Sequence, residues 1–91
     1  MSATVILIVK IMPDSPQAPL EQIKKEIKHF MESHGAKGLT LEEQNIAFGL
    51  KAIILKSAFP EDKGTDIVEQ GISKIQHVSS VTIEDYRRAF G

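Results

Sequence analysis

Two runs of β-branched and aliphatic residues, two runs with helical hydrophobic spacing and two shorter alternating runs succeed one another in the order β-α-β-β-α-β. That order predicts an α+β fold, the ferredoxin-like sandwich: a four-stranded antiparallel sheet with two helices on one face. The runs that are apolar on both sides are the first and third strands, which places them in the centre of the sheet. The second and fourth alternate, as edge strands with one solvated face do.

Strand one spans Thr4 to Met12, and Pro13-Asp14-Ser15-Pro16 stops it because proline cannot continue a ladder inside a sheet. From Pro19 the period changes. Leu20, Ile23, Ile27, Phe30 and Met31 fall at helical spacing, with Glu21, Lys24, Lys25, Lys28 and Glu32 on the other face. Pro19 suits the first turn and Gly35 the position just past the end. Leu39 and Leu41 alternate with Thr40 and Glu42 in strand two, which runs toward Gln44; Gly49 to Ser57 is strand three. Phe59 to Gly64 reads as a loop. Ile67, Val68, Ile72 and Ile75 form the stripe of a second helix, capped by Thr65 or by Asp66. With Asp66 as the cap, Glu69 completes a capping box. Gly71 lies on the apolar stripe, where the missing side chain permits close packing on the sheet. Val81 and Ile83 alternate with Thr82 and Glu84 in strand four, which ends near Arg88.

A chain of 91 residues is expected to form one domain over 1–91, burying somewhat more than about 60% of its unfolded surface. Its hydrophobic fraction of 42% and charged fraction of 25% are those of an ordinary globular protein. There are no cysteines, which excludes a disulfide scaffold, thiolate catalysis and a Cys-x-x-Cys metal site. No apolar run approaches the roughly 18 residues of a membrane span, and Ala3 to Met12 lacks the features of a signal peptide, so a cytoplasmic location is expected. The net charge of -1, with interspersed signs, offers no general attraction to nucleic acid.

No enzyme constellation is visible. His29, His34 and His77 are scattered and read as solvated instead of as metal ligands. The neighbouring carboxylates Glu42-Glu43, Glu61-Asp62 and Glu84-Asp85 point to opposite faces if they lie in strands, so they do not converge on a substrate. Gly64-Thr65 is a single glycine before a helix and no phosphate loop. Phe48 beside Gly49, at a tight β-β junction, is either a satellite of the core or a rigid anchor for another protein, and composition alone favours the core. Arg87 and Arg88 read by themselves as a solvated tail.

Three pieces change this balance when taken in order: Val9-Lys10 with Met12-Pro13, Ile46-Ala47-Phe48-Gly49 in the middle, and Val78-Ser79-Ser80 running to Arg87-Arg88. In spacing and sequence they resemble the elongation factor one-beta family of guanine-nucleotide exchange factors, the archaeal form in particular. The resemblance covers nearly the whole chain. It implies a translation factor without chemistry or cofactor of its own, acting as a monomer on the GTPase elongation factor one-alpha, with no direct nucleic-acid or membrane contact. It also implies that Phe48, Gly49, Lys51, Arg87 and Arg88 contact the GTPase. In eukaryotic relatives a lysine next to the terminal residue enters the magnesium and phosphate site; here Arg88 takes its place, with Arg87 before it and Ala89-Phe90-Gly91 beyond. Arginine keeps the charge but replaces a compact ammonium with a planar fork. Asn45 stands where those relatives carry proline.

Other functional classes with this layout fit less well. An RNA-recognition domain needs stacking aromatics in the middle of strands one and three, where this chain has Ile6, Ile8, Ile53 and Ile54. An acylphosphatase needs an arginine in the loop after strand one, which here offers Asp14 and no arginine. The remaining alternative is a small regulatory or ligand-binding ferredoxin-like domain acting through its open sheet face.

Overall fold

A computed structural model describes residues 4–88. The elements are β1 (Thr4–Pro13), α1 (Leu20–Ser33), β2 (Lys37–Ala47), β3 (Leu50–Pro60), a 3-10 turn (Glu61–Lys63), α2 (Thr65–Ser73) and β4 (Val78–Arg88). The strands form one antiparallel sheet in the order β2-β3-β1-β4, so the two doubly apolar strands are central, as their sequences predict.

Strand alternation decides which residues face the helices. Val5, Leu7, Val9 and Ile11 of β1 are buried on one side, opposite Phe59, Ser57, Leu55 and Ile53 of β3. Ile23, Ile27 and Met31 of α1 and Val68 and Ile72 of α2 complete this core. Ser57 is the one buried polar residue among those described, and its hydroxyl donates to the Lys37 carbonyl at 3.1 Å, which offsets its desolvation. Ile6, Ile8 and Ile54 lie half-buried on the other sheet face.

Helix α1 ends as Gly35 suggests. Ala36 N–H donates to Met31 O at 3.0 Å and Gly35 N–H to Glu32 O at 3.1 Å, a Schellman arrangement made possible by the φ of 92° at Gly35.

Three sequence readings need correction. Phe59 and Pro60 belong to β3 and not to a loop: Phe59 is 1% exposed and pairs with Val5, and proline is tolerated because it is the last strand residue. Helix α2 has Gly64 as its N-cap and no side-chain capping bond, so neither Thr65 nor Asp66 caps it and no capping box forms. Gly71 packs against the other helix and not against the sheet, since a Cβ built there would lie 2.0 Å from Cζ of Phe30.

Candidate functional site

The β2–β3 connection is a two-residue turn, with Phe48 and Gly49 between the paired Ala47 and Leu50. Phe48 has φ 54° and Gly49 φ 79°. Positive φ at both central residues is the signature of a type I′ turn, whose twist matches that of the flanking strands and whose preferred residues are Asn and Gly. Glycine meets that demand at no cost. Phenylalanine does not, because its Cβ crowds the neighbouring backbone in this region.

The Phe48 side chain is 100% exposed. The core alternative for this residue is therefore wrong: the hairpin carries it beyond the reach of every buried side chain. Ile46, 39% exposed, stands beside it in the ribbon. Lys51 is exposed at the foot of the turn, and its ammonium lies 3.7 Å from Glu43.

Glu43 is also bound from below. Lys24 of α1 donates to Glu43 Oε2 at 2.7 Å and to Glu21 Oε2 at 3.1 Å. The Glu43 hydrogen bond is the main cause that holds the Lys24 ammonium above its ordinary pKa, against the opposing effect of burial, with the Glu21 hydrogen bond and then the charges of the two carboxylates adding to it. Lys24 in turn pulls the Glu43 carboxyl below the usual glutamate range, with a smaller contribution from Lys51.

The second candidate region is the end of β4. Adjacent strand residues face opposite ways, so Arg87 and Arg88 do not act on one surface. Arg87 Nε donates to Asp85 at 2.9 Å, two residues back on the same face. Arg88 pairs across the sheet with Val5 and its guanidinium binds Glu61 in the 3-10 turn. That carboxylate, through its hydrogen bond and charge, holds the Arg88 pKa above its ordinary value. Tyr86, 46% exposed, shares the Arg88 side of the strand and lines a depression of about 470 Å³ with residues 64–66, Glu69 and Ile83. Residues 89–91 lie outside the described part of the chain.

The predicted contact residues thus divide between two ends of the molecule. Arg88 stands beside Val5, near the start of β1, whereas the hairpin tip extends beyond Ile11, the last β1 residue paired with β3. At about 3.3 Å per residue the two regions are about 35 Å apart along the sheet, within a molecule 44 Å long and 20 Å wide. In the sequence, Glu43 and Glu61 read only as neighbouring carboxylates and Lys24 only as part of a solvated helix face, and Tyr86 is not singled out. Glu61 is 27 residues from Arg88 and Lys24 is 19 from Glu43, separations at which no local period connects two charges.

Residues 6–89 match the family of the EF-1 guanine nucleotide exchange domain. The chain is 36% identical to the Elongation factor 1-beta of Desulfurococcus amylolyticus over 88 residues, covering 94% of this chain and 97% of that protein. It is 35% identical to that of Methanothermobacter thermautotrophicus and 39% to that of Methanobrevibacter smithii, in both cases over 85 residues, 92% of this chain and 94% of the relative. With the family match running over residues 6–89 and relatives covering more than nine-tenths of its length, the chain belongs to the EF-1 guanine nucleotide exchange domain family.

Proposed function

We propose that this protein promotes the exchange of GDP for GTP on elongation factor one-alpha, the GTPase of translation elongation, and does so without chemistry of its own. The observation that carries this reading is Phe48: a fully exposed phenylalanine held at positive φ, in a turn that favours asparagine. Strain kept at a solvent-exposed tip contributes nothing to the core, and it is at binding and switching sites that such strain accumulates. A rigid aromatic with its whole surface free is also the side chain best suited to anchor an interface.

Two contacts about 35 Å apart divide the work. Phe48, with Gly49 and Lys51 around it, docks into one part of the GTPase. Arg88 brings a cation toward the magnesium and phosphate contacts at the other. There it competes with the metal and weakens the nucleotide. By linkage, the factor by which this protein weakens GDP equals the factor by which GDP weakens this protein. GTP, at higher cellular concentration, then refills the site. Arg87, on the other face, has a secondary part through charge. Magnesium and nucleotide belong to the partner. The site of action is the cytoplasm, and the protein works as a monomer; among the described residues no helix is long and apolar enough to cross a membrane.

The test is release of a fluorescent GDP analogue from the cognate elongation factor one-alpha. Catalytic amounts of this protein should accelerate release without changing the equilibrium between free GDP and GTP. An unchanged release rate over a wide concentration range would show the proposal to be wrong.

A further inference from the structure

The ribbon that carries Phe48 is supported by the rest of the sheet only as far as its root. Ile53 of β3 pairs on one side with Ile11 of β1 and on the other with Glu43 of β2, and no β1 residue pairs with β3 beyond it. From Gln44 to Lys51 the two strands have only each other as ladder partners, and off the sheet Pro16 of the β1–α1 loop lies close to Gly49, its Cβ 3.8 Å from where a Gly49 Cβ would stand. A two-stranded ribbon is marginal by itself and twists readily. Four residues separate Glu43 from the turn, about 13 Å at strand rise, so each rotation of about 10° at the root moves the tip by about 2 Å. What holds the root therefore bears directly on where Phe48 points.

Glu43 occupies that root row, and both of its oxygens are engaged: Oε2 by Lys24 at 2.7 Å and Oε1 by Lys51 at 3.7 Å. Lys24 is 20% exposed and Glu43 31%, so the pair is more sheltered than the tip it supports. Among the described residues, Lys24 to Glu43 is the only side-chain hydrogen bond from α1 to the sheet. Lys24 is anchored in turn by Glu21, one turn earlier in the same helix.

We propose that Lys24 is a positioning residue for Phe48, acting through Glu43 to fix the angle at which the β2–β3 ribbon leaves the sheet. The proposal rests on the reading of Phe48 as the anchor for the GTPase. Lys24 itself need touch no partner. Losing the brace lets the tip sample orientations that do not dock, which lowers the fraction of productive encounters while leaving the Arg88 end intact.

The experiment compares wild type with Lys24→Met, Glu43→Gln, the double variant and Lys24→Arg in two measurements. In GDP release from elongation factor one-alpha, each single variant should raise the half-saturating concentration by about two- to fivefold, the range open to a partly exposed ion pair, with the maximal rate unchanged. The double variant should be no worse than either single, and Lys24→Arg should restore most of the wild-type value. In amide hydrogen exchange, residues 44–51 should exchange about two- to fivefold faster in the single variants, while core amides of β1 keep their protection. Additive single effects, an unchanged half-saturating concentration or unchanged exchange of the hairpin amides would overturn the proposal. If wild type itself fails to release GDP, the exchange reading falls, and the hairpin amides still decide whether Lys24 braces the ribbon.

Discussion

Replacing Phe48 with asparagine should make the protein more stable and less active at once. The side chain is fully exposed, so its removal sacrifices no buried area. Its backbone sits at φ 54°, where a residue other than glycine or asparagine costs about 1–2 kcal/mol. Asn-Gly is the preferred pair for a type I′ turn, so Phe48→Asn should recover about 0.5–1 kcal/mol of that cost. For a domain of this size each 1 kcal/mol moves the melting temperature by about 4–8 °C, which predicts a rise of about 2–8 °C. The urea midpoint should rise without a change in slope, because the surface exposed on unfolding is nearly the same. Loss of an interface anchor worth about 2 kcal/mol or more should weaken binding to the GTPase by about thirtyfold or more. Phe59 is the internal control. It is 1% exposed, and Phe59→Ala should cost about 3–5 kcal/mol in stability. Calorimetry and GDP release on the same preparations settle the matter: a lower melting temperature for Phe48→Asn would refute the strain argument, and undiminished exchange activity would refute the anchor.

Arg88→Ala should slow GDP release strongly at physiological magnesium with little change in affinity for the nucleotide-free GTPase, and the defect should shrink under chelation because the assisted step is already complete; a defect that persists in chelator would make Arg88 a binding residue only. Arg88→Lys should retain much of the activity, and Arg87→Ala should matter less. Gly71→Ala should destabilise by about 1–2 kcal/mol, because the new methyl would meet the Phe30 ring at 2.0 Å and the overpacking outweighs the helix propensity gained. In a Phe30→Ala background the same change should become stabilising, and thermal melts of the four proteins would expose any failure of that reversal. The Lys24–Glu43 pair should support the hairpin only while both groups are charged. Glu43 is depressed below 4.5, so its contribution is full above that value and is lost as pH falls through the lowered pKa. Lys24 is raised above 10.5, so its contribution is full below that value and is lost as pH rises through the raised pKa. Phe48 ring signals in NMR should therefore hold steady from about pH 5 to about pH 10 and shift on the acid side. Glu43→Gln should abolish the acid transition, and its persistence with an unchanged midpoint would show that another group is responsible.

Element order, strand roles and most of the core follow from the sequence alone, because hydrophobic period is a local property. Val5, Leu7, Val9 and Ile11 alternate, Ile23, Ile27 and Met31 repeat at helical spacing, and both patterns survive intact in the fold. Gly35 ends α1 for the same kind of reason, a conformational demand met within a few residues. The resemblance to the family rests on such local segments too, and so it was legible. What required the tertiary structure are the relations between distant residues. Phe48 and Phe59 are the same residue type eleven positions apart, yet one is wholly exposed and the other buried, since the β1–β3 pairing reaches Phe59 and ends at Ile53, short of the turn that carries Phe48. Gly71, on an apolar stripe that by its period faces the sheet, has Phe30 of the other helix in the space before it. The brace from Lys24 to Glu43, the pairing of Arg88 with Glu61 and the division of the candidate contacts between two ends of the sheet all depend on where chain segments meet. Sequence periodicity reports which side of an element is buried, and it carries no information about which other element lies against it.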